Sequence, residues 1–126
     1  MNVFLWIVQA VLAASFAASG LAKLTRPKGE LAGRYSWMET YSQGTLRSIG
    51  VLEVLGAAGL IVPAATGIVP VLTPIAAAGL AVMMIMAAAV HLRRGEPSGL
   101  LVTVVLFALA ALAGWGRFGP YAALDL

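Results

Sequence analysis

The sequence predicts an all-α membrane protein, a bundle of four transmembrane helices, and three observations carry that prediction. Four apolar runs are each long enough to cross a bilayer, charge is scarce, and most ionisable side chains gather toward one membrane face. Hydrophobic residues make up 61% of the chain and charged residues 10%, against roughly 25% charged in a typical globular protein. A chain of 126 residues also has proportionally more surface to cover with polar groups. In water such a fold would expose much of its apolar area, and lipid removes that cost. The whole of 1–126 is therefore assigned to one integral membrane domain.

The first span is expected over 3–22, from Val3 to Ala22, about 20 residues or about 30 Å of helix. A secretory signal peptide is the competing reading, because Ala17, Ala18 and Ser19 resemble a small-residue cleavage site. No basic side chain precedes the run and Lys23 closes it, which favours a retained helix. The second span is expected over 46–62, with Thr45 as its N-cap, Arg47 at the headgroup level and Pro63 just beyond its end. The third is expected over 74–92, with Thr73 as N-cap and Pro74 at the first helical position. The fourth, 98–115, starts after the Pro97–Ser98 break and stops at Gly116 and Gly119. Alternation of polar and apolar residues, the signature of a membrane strand, is missing.

The connections differ in kind. The segment 63–73 is short, uncharged and rich in proline, and joins the second and third helices as an antiparallel pair. Residues 93–97 form a tight charged turn. The first connection, 23–44, is too long for a minimal turn and carries Tyr35, Trp37, Met38 and Tyr41. Leu31, Tyr35 and Met38 fall at helical spacing, which fits a short helix lying in the interface. Tyr35, Trp37 and Tyr41 are accordingly read as interfacial anchors, or alternatively as a lid over a pocket between the helices.

The placement of charge excludes one class of partner and orients the chain. Residues 1–22 and 97–116 carry no charged side chain, and 48–92 carry only Glu53 and His91. A net charge of +3 confined to loops and helix ends is not a nucleic-acid-binding face. Lys23, Arg26, Lys28, Arg34, Arg47, Arg93 and Arg94 all belong to the first and third connections and their helix ends, whereas the opposite side has Arg117. The positive-inside rule places the former in the cytoplasm and both termini outside it. With no cysteine in the chain, disulfides, thiolate catalysis and iron–sulfur ligation are excluded, and one histidine cannot supply bis-histidine haem ligation.

Glu53 is the strongest candidate for a functional group. It follows Arg47 by six residues, about 9 Å further along the helix and inside the hydrocarbon region. A carboxylate there must be protonated, paired or turned to a polar interior. Lys23, Arg47, His91 and Arg94 share its membrane side and are its candidate partners, so these five residues form the candidate ligand or proton-handling site. A structural ion pair is the competing reading. Glu53 with His91 supplies two good ligands where zinc normally takes three or four, so no metal site is expected. Neutral imidazole can donate and accept a proton, which leaves His91 open to a relay or quinone-bonding role beside a purely packed one. Gln9 is the polar exception in the first span and is expected to hydrogen-bond across the bundle. Ser15 with Ser19, Gly50, Gly56 and Gly59, Ala76 with Gly79, and Ala110 with Gly114 predict close helix packing. Met83, Met84 and Met86 read as core or lipid-facing filling.

Three segments, Gly20 to Leu24, Arg47 to Gly56 and His91 to Glu96, together with Thr66 to Pro70 and Leu72 to Pro74, resemble the DoxX-like family of small bacterial membrane proteins. The likeness covers nearly the whole chain. It implies a four-helix bundle in the bacterial cytoplasmic (inner) membrane. The family takes its name from a subunit associated with thiosulfate:quinone oxidoreduction, so the resemblance implies an accessory or quinone-facing subunit of a membrane oxidoreductase. Lys23, Arg47, Glu53 and His91 match recurring polar positions, and no catalytic role carries over with them. The chain shows no flavin, haem or metal constellation, so quinone is the one cofactor considered and redox chemistry would need partner subunits. Two alternatives stand beside this reading: a homodimeric small-solute carrier or binding protein, and a structural or assembly protein.

Overall fold

The computed structural model describes residues 2–27, 29–30, 33 and 41–119. Four helices account for most of them: α1 (Asn2–Thr25), α2 (Gln43–Thr66), α3 (Leu72–Arg93) and α4 (Pro97–Phe118). All four are long and apolar enough to cross a membrane. At 22 to 24 residues each, they reach about 33–36 Å, slightly more than a hydrocarbon core. The protein is an all-α, membrane-spanning four-helix bundle, with no strand among the described residues. Tyr35, Trp37, Met38, Leu31, Lys28 and Arg34 lie outside the described residues, and with them the interfacial helix expected in the first connection.

Each helix runs one to four residues past its expected apolar run, and four of the expected boundary signals act differently. Ser42, not Thr45, caps α2, its side chain accepting from the Thr45 N–H. Pro63 lies inside α2, which continues to Thr66 and ends at Gly67, whose left-handed φ of 72° suits glycine. Thr73 does not cap α3; the cap position is Val71, without a side-chain bond. Gly116 does not stop α4, which ends at the Gly119 cap. For Pro63 and Thr73 the reason is the solvent. Inside lipid a freed carbonyl has no water to accept from, so the helix continues wherever a neighbour can satisfy it.

Pro63 shows how. A proline cannot donate to the carbonyl four residues back, here that of Gly59. The Thr73 hydroxyl of α3 donates to that carbonyl at 2.9 Å instead, and Thr73 is completely buried. What reads locally as an N-cap is a bond between helices.

The main packing partners are α1 with α2 and α3 with α4, so the bundle consists of two antiparallel hairpins. Leu12, Phe16, Leu60, Leu80, Ala77, Ala110 and Ala113 fill the core between them. Ile7, Leu55, Val82, Ile85 and Leu101 remain more than half exposed. A soluble bundle would turn such residues inward; here every helix is apolar on its outer face as well, as hydrocarbon demands.

Small residues set where backbones meet. A Cβ on Gly20 would lie 2.7 Å from the Gly50 carbonyl oxygen, and one on Gly50 would lie 2.8 Å from that of Gly20, so α1 and α2 touch main chain to main chain. Between the hairpins, Gly56 receives Leu80, Gly59 receives Ala76, and Gly116 receives Leu5. Gly79 has nothing within 4 Å of such a Cβ and is not part of an interface, contrary to the expected packing stripe.

Candidate functional site

Lys23 and Glu53 are brought together by the Gly20–Gly50 approach and by helix direction. A Cα–Cβ bond leans toward the N-terminus of its helix. For Lys23, in the last turn of α1, that lean is inward along the bundle. For Glu53, in the antiparallel α2, it is toward the charged end. The two side chains therefore reach for each other, and Lys23 turns inward instead of snorkelling out. The Lys23 Nζ lies 2.5 Å from Glu53 Oε1 and donates also to Ser19 Oγ at 2.7 Å, one turn back on its own helix. Both are buried, at 6% and 3% exposure. Two charges at this depth are tolerable because each is paired and hydrogen-bonded.

The pair forms part of the wall of a cavity of about 420 Å³ between the hairpins. Polar side chains from the charged end, Lys23, Glu53, Ser19, Tyr41 and His91, contribute to its lining. Its remaining surface is mostly apolar, with Phe16, Leu52, Met83, Met84 and Leu106 from all four helices. Chemically this is an oily chamber with a charged hydrogen-bonding pair set into one wall. It suits a molecule that is mostly hydrocarbon and carries a carbonyl or hydroxyl.

His91 stands at the same cavity and is held from behind. Its Nδ1 lies 3.0 Å from Glu96 Oε1, and its ring packs so tightly on Gly99 that a Cβ there would fall 2.5 Å from Nδ1. Glu96 also meets Arg94 Nε at 3.5 Å, so the turn after α3 is tied by a carboxylate shared between imidazole and guanidinium.

Of the five candidate residues, Lys23, Glu53 and His91 line the cavity. Arg47 and Arg94 do not. Arg47 donates to the Leu24 carbonyl at 2.6 Å, satisfying an orphan acceptor at the end of α1, and Arg94 belongs to the turn. Tyr41 lines the cavity and also packs with Leu46 and Ala22 at its charged end. Tyr35 and Trp37 lie outside the described residues. No group of three or more His, Asp or Glu side chains converges among the described residues.

Two features extend the sequence reading. Met84 lies in the core with Met83 packed against it and Met86 faces outward, as expected, and all three also line the cavity. At the opposite end, Gln9 bonds across the bundle as expected, and does so in a buried clamp with Arg117. The Gln9 amide donates to the Leu60 carbonyl at 2.7 Å while its oxygen accepts from Arg117 Nε at 2.8 Å, joining α1, α2 and α4. The Arg117 guanidinium also lies over the Trp6 ring, 5.5 Å from its centroid. The signal for the clamp was a single amide and a single cation in otherwise apolar helices at the same membrane side.

No curated protein and no solved structure matches the chain. A family model does: that of the DoxX-like family, over residues 7–113, a stretch that contains all the cavity's lining residues. On that match, the chain belongs to the DoxX-like family of membrane proteins.

Proposed function

We propose that the chain binds a lipophilic quinone at the Lys23–Glu53 wall and serves as the quinone-facing subunit of a membrane redox assembly. The observation that carries this reading is a buried ammonium–carboxylate pair set in an apolar chamber of about 420 Å³, within the roughly 300–1,000 Å³ of ordinary small-molecule sites. The ammonium can donate to a quinone carbonyl and the carboxylate can accept from a quinol hydroxyl. His91, joined to Glu96 at the turn, is placed to pass a proton between the chamber and the charged face. A partner would supply the electrons.

The test is quinone binding to the purified protein in nanodiscs, followed by native mass spectrometry. Glu53→Gln and Lys23→Met should each weaken binding about tenfold, the value of one hydrogen bond to a charged group. Unchanged binding in both variants overturns the reading. A carrier would instead show uptake into proteoliposomes that follows a proton gradient and fails in Glu53→Gln.

The charged end is proposed to face the cytoplasm, on the distribution of Lys and Arg. Because the chain has no cysteine, one introduced thiol reports its own side without background. An impermeant maleimide should label Ile68→Cys in intact cells, and Ser98→Cys after permeabilisation alone. The reverse pattern inverts the orientation.

A further inference from the structure

We infer that the cavity is reached sideways, through a portal between α2 and α3 in the leaflet on the charged side, and that this portal holds the aliphatic tail of the bound ligand. The inference rests on the quinone-binding reading and specifies how that ligand arrives and which part of it the lipid-facing wall recognises.

The hairpins are fastened to each other mainly in the half away from the charged end. There Thr73 bonds the Gly59 carbonyl, Ala76 abuts Gly59 and Leu80 abuts Gly56. One turn further toward the charged end, α2 and α3 offer Leu52 and Met86, which line the cavity and are 55% and 66% exposed. A residue that both lines a chamber and faces outward marks a place where the chamber reaches the surface. Here that surface is hydrocarbon, and both rim side chains are apolar. The methionine is unbranched and flexible, suited to moving aside for a passing ring. Across the bundle, between α1 and α4, Phe16 and Thr103 are buried at 2% and 6% and narrow that side, and Ser15 of α1, which lines the cavity and is exposed, is polar and a poorer rim for an aliphatic tail.

A ligand dissolved in the bilayer would therefore slide in head first toward Lys23 and Glu53, leaving its chain between Leu52 and Met86. The head reaches the polar wall without crossing the aqueous face. Tail length becomes a determinant of binding, and a head group alone has no contact with the portal.

Two quinones of identical ring substitution, one with a decyl chain and one with a methyl in its place, separate the possibilities. Binding of each is measured in nanodiscs for the wild type, Leu52→Trp and Met86→Trp. Both rim residues project outward, so a larger ring there does not load the core. The decyl compound should bind the wild type at least tenfold more tightly than the methyl compound after correction for partition into lipid. Met86→Trp should erase most of that advantage while leaving the methyl compound unaffected. Equal binding of the two by the wild type, or equal weakening of both by the rim variants, overturns the portal and leaves the quinone site standing. Binding of neither compound by the wild type overturns both. A photoreactive group at the tail's end provides a check that needs no variant. It should mark peptides containing residues 49–55 and 82–90, and marking confined to α1 and α4 rejects the portal.

Discussion

The two halves of this bundle use polar side chains for opposite purposes. Away from the charged end, Gln9, Thr73 and Arg117 are buried and spent on neighbouring helices: Gln9 on the Leu60 carbonyl, Thr73 on the Gly59 carbonyl and Arg117 on Gln9. Two of these bonds, Thr73 to Gly59 and Arg117 to Gln9, cross from one hairpin to the other, and Gln9 to Leu60 ties the two helices of the first. At the charged end, Lys23 bonds Glu53 and Arg47 bonds Leu24, both within the first hairpin, and His91 meets Glu96 within the second. The hairpins are thus locked together in one half and left to enclose a cavity in the other. In a membrane, where lipid is as apolar as leucine, hydrophobicity alone does not hold helices together. Interhelical polar bonds help decide which surfaces close, and among the described bonds those across the hairpins lie in the half away from the cavity.

The largest expected effect breaks the comparison at its most charged point. Glu53→Ala removes the carboxylate from a buried lysine and should cost about 3 kcal/mol, as breaking one side of a buried pair does. The double replacement Lys23→Met with Glu53→Leu should recover most of this, because a well-packed apolar pair escapes the desolvation cost. Thermal unfolding in detergent measures both. A double variant that is stable yet fails to bind quinone assigns the pair to the site. One as unstable as Glu53→Ala assigns it to the scaffold, and the contrast between the halves disappears.

The second effect falls on the locked half. Gln9→Leu removes a donor to Leu60 and an acceptor for Arg117 in a position that admits no water, for a loss of about 2 kcal/mol. Quinone affinity should stay within about twofold of wild type. A variant that keeps its stability but loses the ligand would show the two halves to be coupled, and the separation drawn above would not stand.

Much of this architecture is legible from the sequence, and what is not depends on contacts between distant segments. The apolar runs locate all four helices, because span length is set by the bilayer. Their ends are misread at Thr45, Pro63, Thr73 and Gly116, at Pro63 and Thr73 because rules learned in water assume that water will accept the loose bond. Glu53 stands out as the lone acid in an apolar span, and its possible partners reduce to four basic side chains on the same side. Choosing Lys23 among them depends on the backbone contact of Gly20 with Gly50, which no local pattern specifies. Arg117 marks a membrane face in the sequence, and its burial depends on Gln9 standing opposite it, more than a hundred positions away in the chain. The cavity is legible last, since it is a consequence of where the hairpins do not meet.

The smallest effect tests the principle beneath the comparison. Thr73→Val leaves the Gly59 carbonyl without its donor and should cost about 1 kcal/mol, typical of an interhelical hydrogen bond in a membrane. That cost exists because Pro63 has no N–H to offer. Pro63→Ala restores one, and the helix can then close its own bond to Gly59. In the Pro63→Ala background, Thr73→Val should therefore cost less than half as much. The coupling between these positions, read from a double-mutant cycle of unfolding in detergent, isolates the shared carbonyl from the packing that each change disturbs. A cycle with no coupling would mean that the hydroxyl contributes by filling space, and that Pro63 is tolerated for some other reason. A coupling of the expected sign would identify Pro63 and Thr73 as one device, in which a proline opens a carbonyl on one hairpin so that the other can fasten to it.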